Sequence, residues 1–504
     1  MTQIDRRTFL RGAAATAGAA AALGGPFVGL VRLASANGST SAFPGPKPSY
    51  RGLETNIPDD RDGKVRLWLP AGFRYRSFHD TEDLVLLDDG TTLPGRHDGM
   101  GAFDGPGGNS ILIRNHEVNG PGSVFGPSGD HTYDSAARGG TTTIEVTRFG
   151  EVVNAYTSLN GTQMNCAGGP MPWGAWVTCE ETVNGPDVGP DFTSVSNVPL
   201  TQPHGFIYEV PVDGPSSGVP IRKAGRFAHE AVSFDPEEGI LYLTEDNFGF
   251  PSGFYRYLPP ANPVTSGHLE DGGSLQMLAV KDMPNADLAS SQPAGARYDV
   301  EWVDIEDPDP EFPYTPGETA PTANDTAIAY VGNQGRALGA ARFSRLEGSA
   351  YDRGVVYFAA TQGGGPAEAS DGPISNGYGN GRGQVWAYHT QTQQLELIFE
   401  APLPEPGQEP PALDLPDNVT TSPRGTLILC EDSSGDNFLR GLSPEGQIWD
   451  IALNRLTSKT GADRFGEEFA GSTFSADGRT LFVNIQASAG MSFAIWGPWA
   501  RIGV

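Results

Sequence analysis

The chain has 504 residues, with 61 acidic against 33 basic side chains and a net charge of −28 with histidine neutral. Such a charge repels phosphate backbones and anionic membrane surfaces, so nucleic acid is excluded as an expected partner. At this length one ordinary core exceeds the usual limit of about 250–300 residues, which leaves a closed repeat architecture or two domains, for instance two β-sandwiches.

At the N-terminus, Arg6-Arg7-Thr8-Phe9-Leu10-Arg11 forms a twin-arginine consensus, followed by the Ala/Gly-rich apolar run 12–23 and by Ala34-Ser35-Ala36, an A-x-A cleavage signal. Residues 1–36 therefore read as a signal peptide, and the twin-arginine export machinery is an expected partner. Gly24-Pro26 and Arg32 interrupt the apolar run short of the ~20 residues a spanning helix needs, so stable membrane insertion is not expected. The expected destination is the periplasm, the cell wall or the medium. This route carries folded proteins, which suits a metal centre loaded before export. Cys166, Cys179 and Cys430 are too few for a disulfide framework; one Cys166–Cys179 bridge and thiolate ligation of a metal are competing uses.

Residues 37–60, rich in Gly, Ser and Pro, read as an extended lead-in to one large domain at 61–504. Strand-like runs follow at 64–69, 110–114, 141–147, 173–178, 205–210, 240–244, 253–258, 328–332, 355–360, 384–388, 426–430 and 480–485, with no long helical period between them. The chain is thus all-β. A phrase recurs in which a turn leads into an apolar strand ending in acids or an amide: 234–246, 422–432 and 474–484 each carry it. Repeats of that kind build a β-propeller, and six blades of roughly 70–80 residues fit the length left after the leader.

The densest chemistry lies in Asn165 to Glu181, NCAGGPMPWGAWVTCEE, where a thiol in a Gly-Pro loop precedes an aromatic strand ending in two carboxylates. In strand geometry Cys179 and Glu181 share one face and Glu180 takes the other. A core cysteine beside a surface carboxylate pair accounts equally well for this segment. Carboxylates recur at other apolar strand ends, in Asn115-His116-Glu117, His229-Glu230, Glu245-Asp246-Asn247, Asp417-Asn418 and Glu431-Asp432. Singly each reads as a turn or cap. Jointly they offer more oxygens than one ion needs, which suits calcium or several clustered ions, while a cysteine beside them suits a transition metal. Arg345 has the fork to grip a phosphate, and pairing with Glu347 is its plain structural use.

Several of these segments together carry a family resemblance. NCAGGPMPWGAWVTCEE, His229-Glu230, Pro416-Asp417-Asn418-Val419 with Leu429-Cys430-Glu431-Asp432, Leu439-Arg440-Gly441-Leu442-Ser443-Pro444-Glu445-Gly446, and Glu468-Phe469-Ala470-Gly471 leading into Phe493-Ala494-Ile495-Trp496-Gly497-Pro498-Trp499 resemble PhoX, the twin-arginine-exported bacterial alkaline phosphatase family. The resemblance implies a six-bladed propeller whose channel holds iron and calcium and hydrolyses phosphate monoesters of small molecules; a monomer is the expected state. It also implies Cys166 as the thiolate ligand of iron, Glu117, Glu181, Glu230, Glu347 and Asp417 as cluster carboxylates, and Arg345 as the phosphate-binding arginine, with Arg345 and Cys166 in the catalytic set. No G-x-S-x-G elbow is present, since Gly471-Ser472 runs into Thr473-Phe474, so a serine nucleophile is not expected. Two rival classes remain: a calcium-dependent propeller lactonase or esterase, which has no need of a cysteine, and a non-catalytic binding propeller with structural calcium.

Overall fold

The computed structural model describes residues 50–261, 269–404 and 412–504; the expected signal peptide lies outside them. Among the described residues, six strands stand side by side in a closed ring: His97–Asp104, Asn165–Met171, His229–Asp235, Leu346–Asp352, Pro416–Thr421 and Phe469–Phe474. Each begins an antiparallel sheet that runs outward, so each ring strand with its outer neighbours is called a blade, numbered 1 to 6 in chain order. The chain is a β-propeller. Blades 3 and 4 merge into one nine-stranded sheet because their outermost strands, Arg297–Asp304 and Gln394–Glu400, pair along the rim.

The packing explains why the second strands of the blades read so clearly in the sequence. Alternate residues of a strand face opposite sides, and both sides of a propeller blade are covered by neighbours. In Val355–Ala360, Val356 and Phe358 join the apolar cluster toward blade 3, whereas Tyr357 and Ala359 join the cluster toward blade 5. In Leu427–Glu431, Leu427 and Leu429 face blade 4, and Ile428 and Cys430 face blade 6. A strand buried on both faces shows an unbroken apolar run rather than alternation. Such an apolar cluster fills every gap between adjacent blades.

Two segments from the start of the described chain fasten the ring. Arg74–Phe78 forms the outer strand of blade 6 beside Met491–Trp496, and Leu67–Pro70 extends blade 5 beside Ile448–Asn454. Part of the stretch read as lead-in takes part: Leu53–Glu54 pairs with Leu67–Pro70, and the buried Asp59 accepts from Ser77 and from the Arg66 guanidinium.

The expected strand at 328–332 is a correction: the chain there forms helices, Asn324–Ile328 and Tyr330–Ala337. Ala327, Val331 and Gly335 are buried at a spacing of four, the helical period. A five-residue apolar window is too short to reveal that period.

Candidate metal centre

In an antiparallel hairpin the start of one strand lies beside the end of the next. The first residues of each ring strand therefore meet the last residues of its second strand at one end of the propeller. At that end every ring strand slips register: between His97 and Met100, Asn165 and Gly168, His229 and Val232, Leu346 and Ser349, Pro416 and Val419, and Ala470 and Thr473. A bulge re-aims the side chain inside it. Those side chains are Asp98, Cys166, Glu230, Glu347 and Asp417, with Gly471 in blade 6. The ends of the second strands add Glu117, Glu181, Asp432 and Gln486, and Glu468 enters just ahead of the blade 6 ring strand. With Arg96 these residues, Gly471 excepted, line one cavity.

Cys166, Glu181 and Glu230 offer ligand atoms within 4.8 Å of one another, as do Glu230, Glu347 and Asp417, and Asp417, Asp432 and Glu468. Glu230 and Asp417 each belong to two groups, so the three sets form a continuous chain across the channel. The donor chemistry fits cations: one soft thiolate at one end and hard carboxylate oxygens elsewhere. Burial, with the facing charges of Glu117 and Asp417, pushes the Asp98 carboxyl well above the ordinary range. Glu230 shifts the same way through burial and then through Glu347 and Asp417. Burial, then Glu230 and Glu181, raises the Cys166 thiol. Carboxylates so crowded demand either protons or positive charge.

The expected site residues come together, with two distinctions. Glu117 lines the cavity but stands outside the three ligand groups; it accepts from Arg96 Nη1 at 3.0 Å and from Gln486 Nε2 at 2.9 Å. Arg345 is buried just before the blade 4 bulge and donates to both oxygens of Asp246, at 3.0 and 2.7 Å, and to Glu347 at 3.1 Å. Phe248 covers its guanidinium at 5.2 Å from the ring centre. Cys166 occupies a strand bulge rather than a loop, a correction to the sequence reading. Asn115 Nδ2 holds it there by donating to the Cys166 and Ala167 carbonyls at 2.9 and 2.8 Å. All three cysteines are buried and free, so the competing Cys166–Cys179 bridge does not form.

The Glu180–Glu181 pair divides as strand alternation requires. Glu180 points away from the channel and accepts from the backbone of Gln163, Gly205 and Phe206 while contacting His204 Nδ1 at 2.6 Å. Asp98, Gln486 and Arg96 carry no mark in the sequence reading, Asp432 stands there as a strand-end acid, and Glu468 stands in a motif without a role. A signal existed: the bulge sequences His97-Asp98-Gly99, Asn165-Cys166-Ala167, His229-Glu230-Ala231, Leu346-Glu347-Gly348 and Pro416-Asp417-Asn418 each place a ligand-type residue before a small or amide one. Small residues fit because the ring strands nearly touch. A side chain at Gly169 would collide with the Val232 carbonyl, and one at Gly348 with the Val419 amide.

Fold and site together define a β-propeller with an acid-lined, thiol-bearing centre at one end of its channel. The family model for alkaline phosphatase PhoX matches residues 54–489, and the chain belongs to that family. It is thus a phosphatase, a hydrolase whose family suggests metal-dependent catalysis. Among solved structures it is similar to Pseudomonas fluorescens PhoX in complex with vanadate, a transition state analogue, at 17% identity and a TM-score of 0.61 over 90% of this chain and 98% of that one. A gluconolactonase from Xanthomonas campestris matches at 13% identity and a TM-score of 0.34 over 89% of this chain and 99% of that one. A virginiamycin B lyase from Staphylococcus aureus matches at 11% and 0.36, over 84% and 99%. No curated protein matches by sequence.

Proposed function

We propose that the channel centre holds iron and calcium and hydrolyses phosphate monoesters of small molecules outside the cytoplasm. The carrying observation is the continuous chain of three ligand groups, Cys166 at one end, in a chain of the phosphatase family. Cys166 with Glu181 and Glu230 would hold the iron, since a thiolate favours a transition metal over calcium. Glu347, Asp417, Asp432 and Glu468 would hold calcium. Bound ions of this kind polarise phosphoryl oxygens and stabilise charge in an in-line displacement.

The protein's own groups bind and orient. Arg345 is fixed by Asp246 and Glu347, and its Nη1, which among the described residues donates to Gln362 at a long 3.4 Å, is the edge that would take a phosphate oxygen. During displacement the bond from phosphorus to the leaving oxygen breaks as water adds opposite it, and a fixed guanidinium offsets the growing equatorial charge. Asn115 holds the Cys166 segment, and the Gln486 amide spaces Asp98 from Glu117. The twin-arginine leader supports export in the folded state.

Metal analysis of the purified protein beside p-nitrophenyl phosphate hydrolysis, with and without a calcium chelator, tests the reading. Iron and calcium with chelator-sensitive turnover are expected, and Cys166→Ser should lose iron and activity together. Calcium without iron, and no turnover, would sink the assignment.

A further inference from the structure

The centre is deep and narrow, so the alcohol portion of a bound ester must lie outside it. Three segments reach the site-bearing end of blades 3 and 4: the loop after Ile240–Glu245, the loop after Val355–Ala360, and the excursion that follows Arg297–Asp304, carries both helices and ends at Arg345. They build a groove of about 560 Å³ whose walls include Phe250, Ala329, Tyr330, Asn333 and Pro373. Phe248 lies over Arg345, and Phe250 follows two residues later, so their Cα atoms are at most ~7 Å apart. A ring attached to a phosphoryl group at Arg345 would extend past Phe248 toward Phe250 and this groove.

The walls are fastened to one another. Ile374 N donates to the Gly249 carbonyl at 2.8 Å, and Arg336 Nη1 to the Pro251 carbonyl at 2.9 Å. Tyr330 donates its hydroxyl to Asp307 at 3.0 Å, which fixes the ring. Two aromatic rings and a proline make a surface suited to a flat apolar group. The charged residue in the lining is Asp325, which disfavours leaving groups that carry further phosphates.

We propose that this groove is the leaving-group subsite of the phosphatase and selects monoesters of neutral aromatic alcohols and phenols over small alkyl phosphates. The proposal rests on Arg345 as the phosphate-binding group, so the decisive test is read by binding as well as by turnover. Calorimetric titration of metal-loaded protein with phenylphosphonate and with methylphosphonate should show the phenyl compound binding about 10-fold more tightly. Phe250→Ala should reduce that preference to about 2-fold, and Asn333→Trp, which fills the groove from an exposed helix position, should abolish it. In kinetics, the same variants should raise KM for 1-naphthyl phosphate several-fold more than for glycerol 2-phosphate. Equal wild-type affinity for the two phosphonates, or a preference that survives both variants, would overturn the subsite. Phenyl preference without hydrolysis of any ester would instead remove the phosphatase role of Arg345 and leave the groove assignment standing.

Discussion

Glu180 and Glu181 are chain neighbours, both buried, and they lead opposite lives. Glu180 is surrounded by donors, from three backbone amides and His204, whereas Glu181 stands beside Glu230 and a thiol in the channel. The division repeats at Glu245, which accepts from Gly253 N and Tyr255, next to Asp246, and at Glu431, which accepts from Asp414 N, Phe438 N and Arg440, next to Asp432. The first acid of each pair ties the end of the second strand to the start of the third. Of the second acids, Glu181 and Asp432 line the channel cavity and Asp246 holds Arg345. Burial alone therefore says nothing about a carboxylate's role; the sign of what surrounds it does.

Breaking the channel side should have the largest effect on function. Glu230→Gln removes a ligand shared by two groups and should lower phosphatase activity by at least about 10²-fold with loss of bound metal, because even residues that only support ligands cost 10–100-fold. The matched change Glu245→Gln should keep the metal content, as plasma emission spectroscopy would show; equal metal loss in both would erase the distinction. On the structural side, Glu180→Gln leaves His204 short of its partner and should cost roughly 3 kcal/mol in denaturant unfolding, with metal stoichiometry at saturation unchanged.

A smaller effect sharpens the same contrast through pH. Burial opposes charge on His204, but Glu180 and Asp134 outweigh it and raise its pKa to about 9. With a folded pKa above the unfolded value of about 6.5, the folded state holds the extra proton between the two. The stabilisation is thus fully present below about pH 6.5 and is lost as pH rises through about 9, an upper bound of roughly 3 kcal/mol. Unfolding midpoints across that window should fall in the native sequence and stay flatter in His204→Gln. Parallel slopes in the two proteins would show that His204 is neutral in the fold.

The sequence made the outer architecture legible and concealed the inner ring. The second strands, such as Val355–Ala360 and Thr480–Ile485, are apolar on both faces and stand out in any window. The ring strands read HDGMGAFD, NCAGGPM and PDNVTT, because they line a crowded axis with small residues and carry a polar side chain in a bulge. Neither strand propensity nor alternation survives those demands, so Asn165-Cys166-Ala167-Gly168 reads as a loop and His97-Asp98-Gly99 carries no strand signal. The strand-end acids Glu117, Glu181 and Asp432 were visible because they punctuate strands that were visible. Alternation at Cys179-Glu180-Glu181 shows that the two acids take opposite faces, and the family resemblance is what points to Glu181 as the one at the site.

The clasp formed by Leu67–Pro70 and Arg74–Phe78 has a consequence for biosynthesis. Those residues leave the ribosome early, yet their partners are Ile448–Asn454 and Met491–Trp496, some four hundred positions later. The circle cannot shut until nearly all of the chain has emerged, and contacts of such long range are slow to form. Since the ligand groups draw on blades from 2 through 6, the full set takes shape only on closure, whereas the Cys166, Glu181 and Glu230 group needs only blades 2 and 3 side by side. Assembly of the complete ligand set is thereby coupled to completion of synthesis.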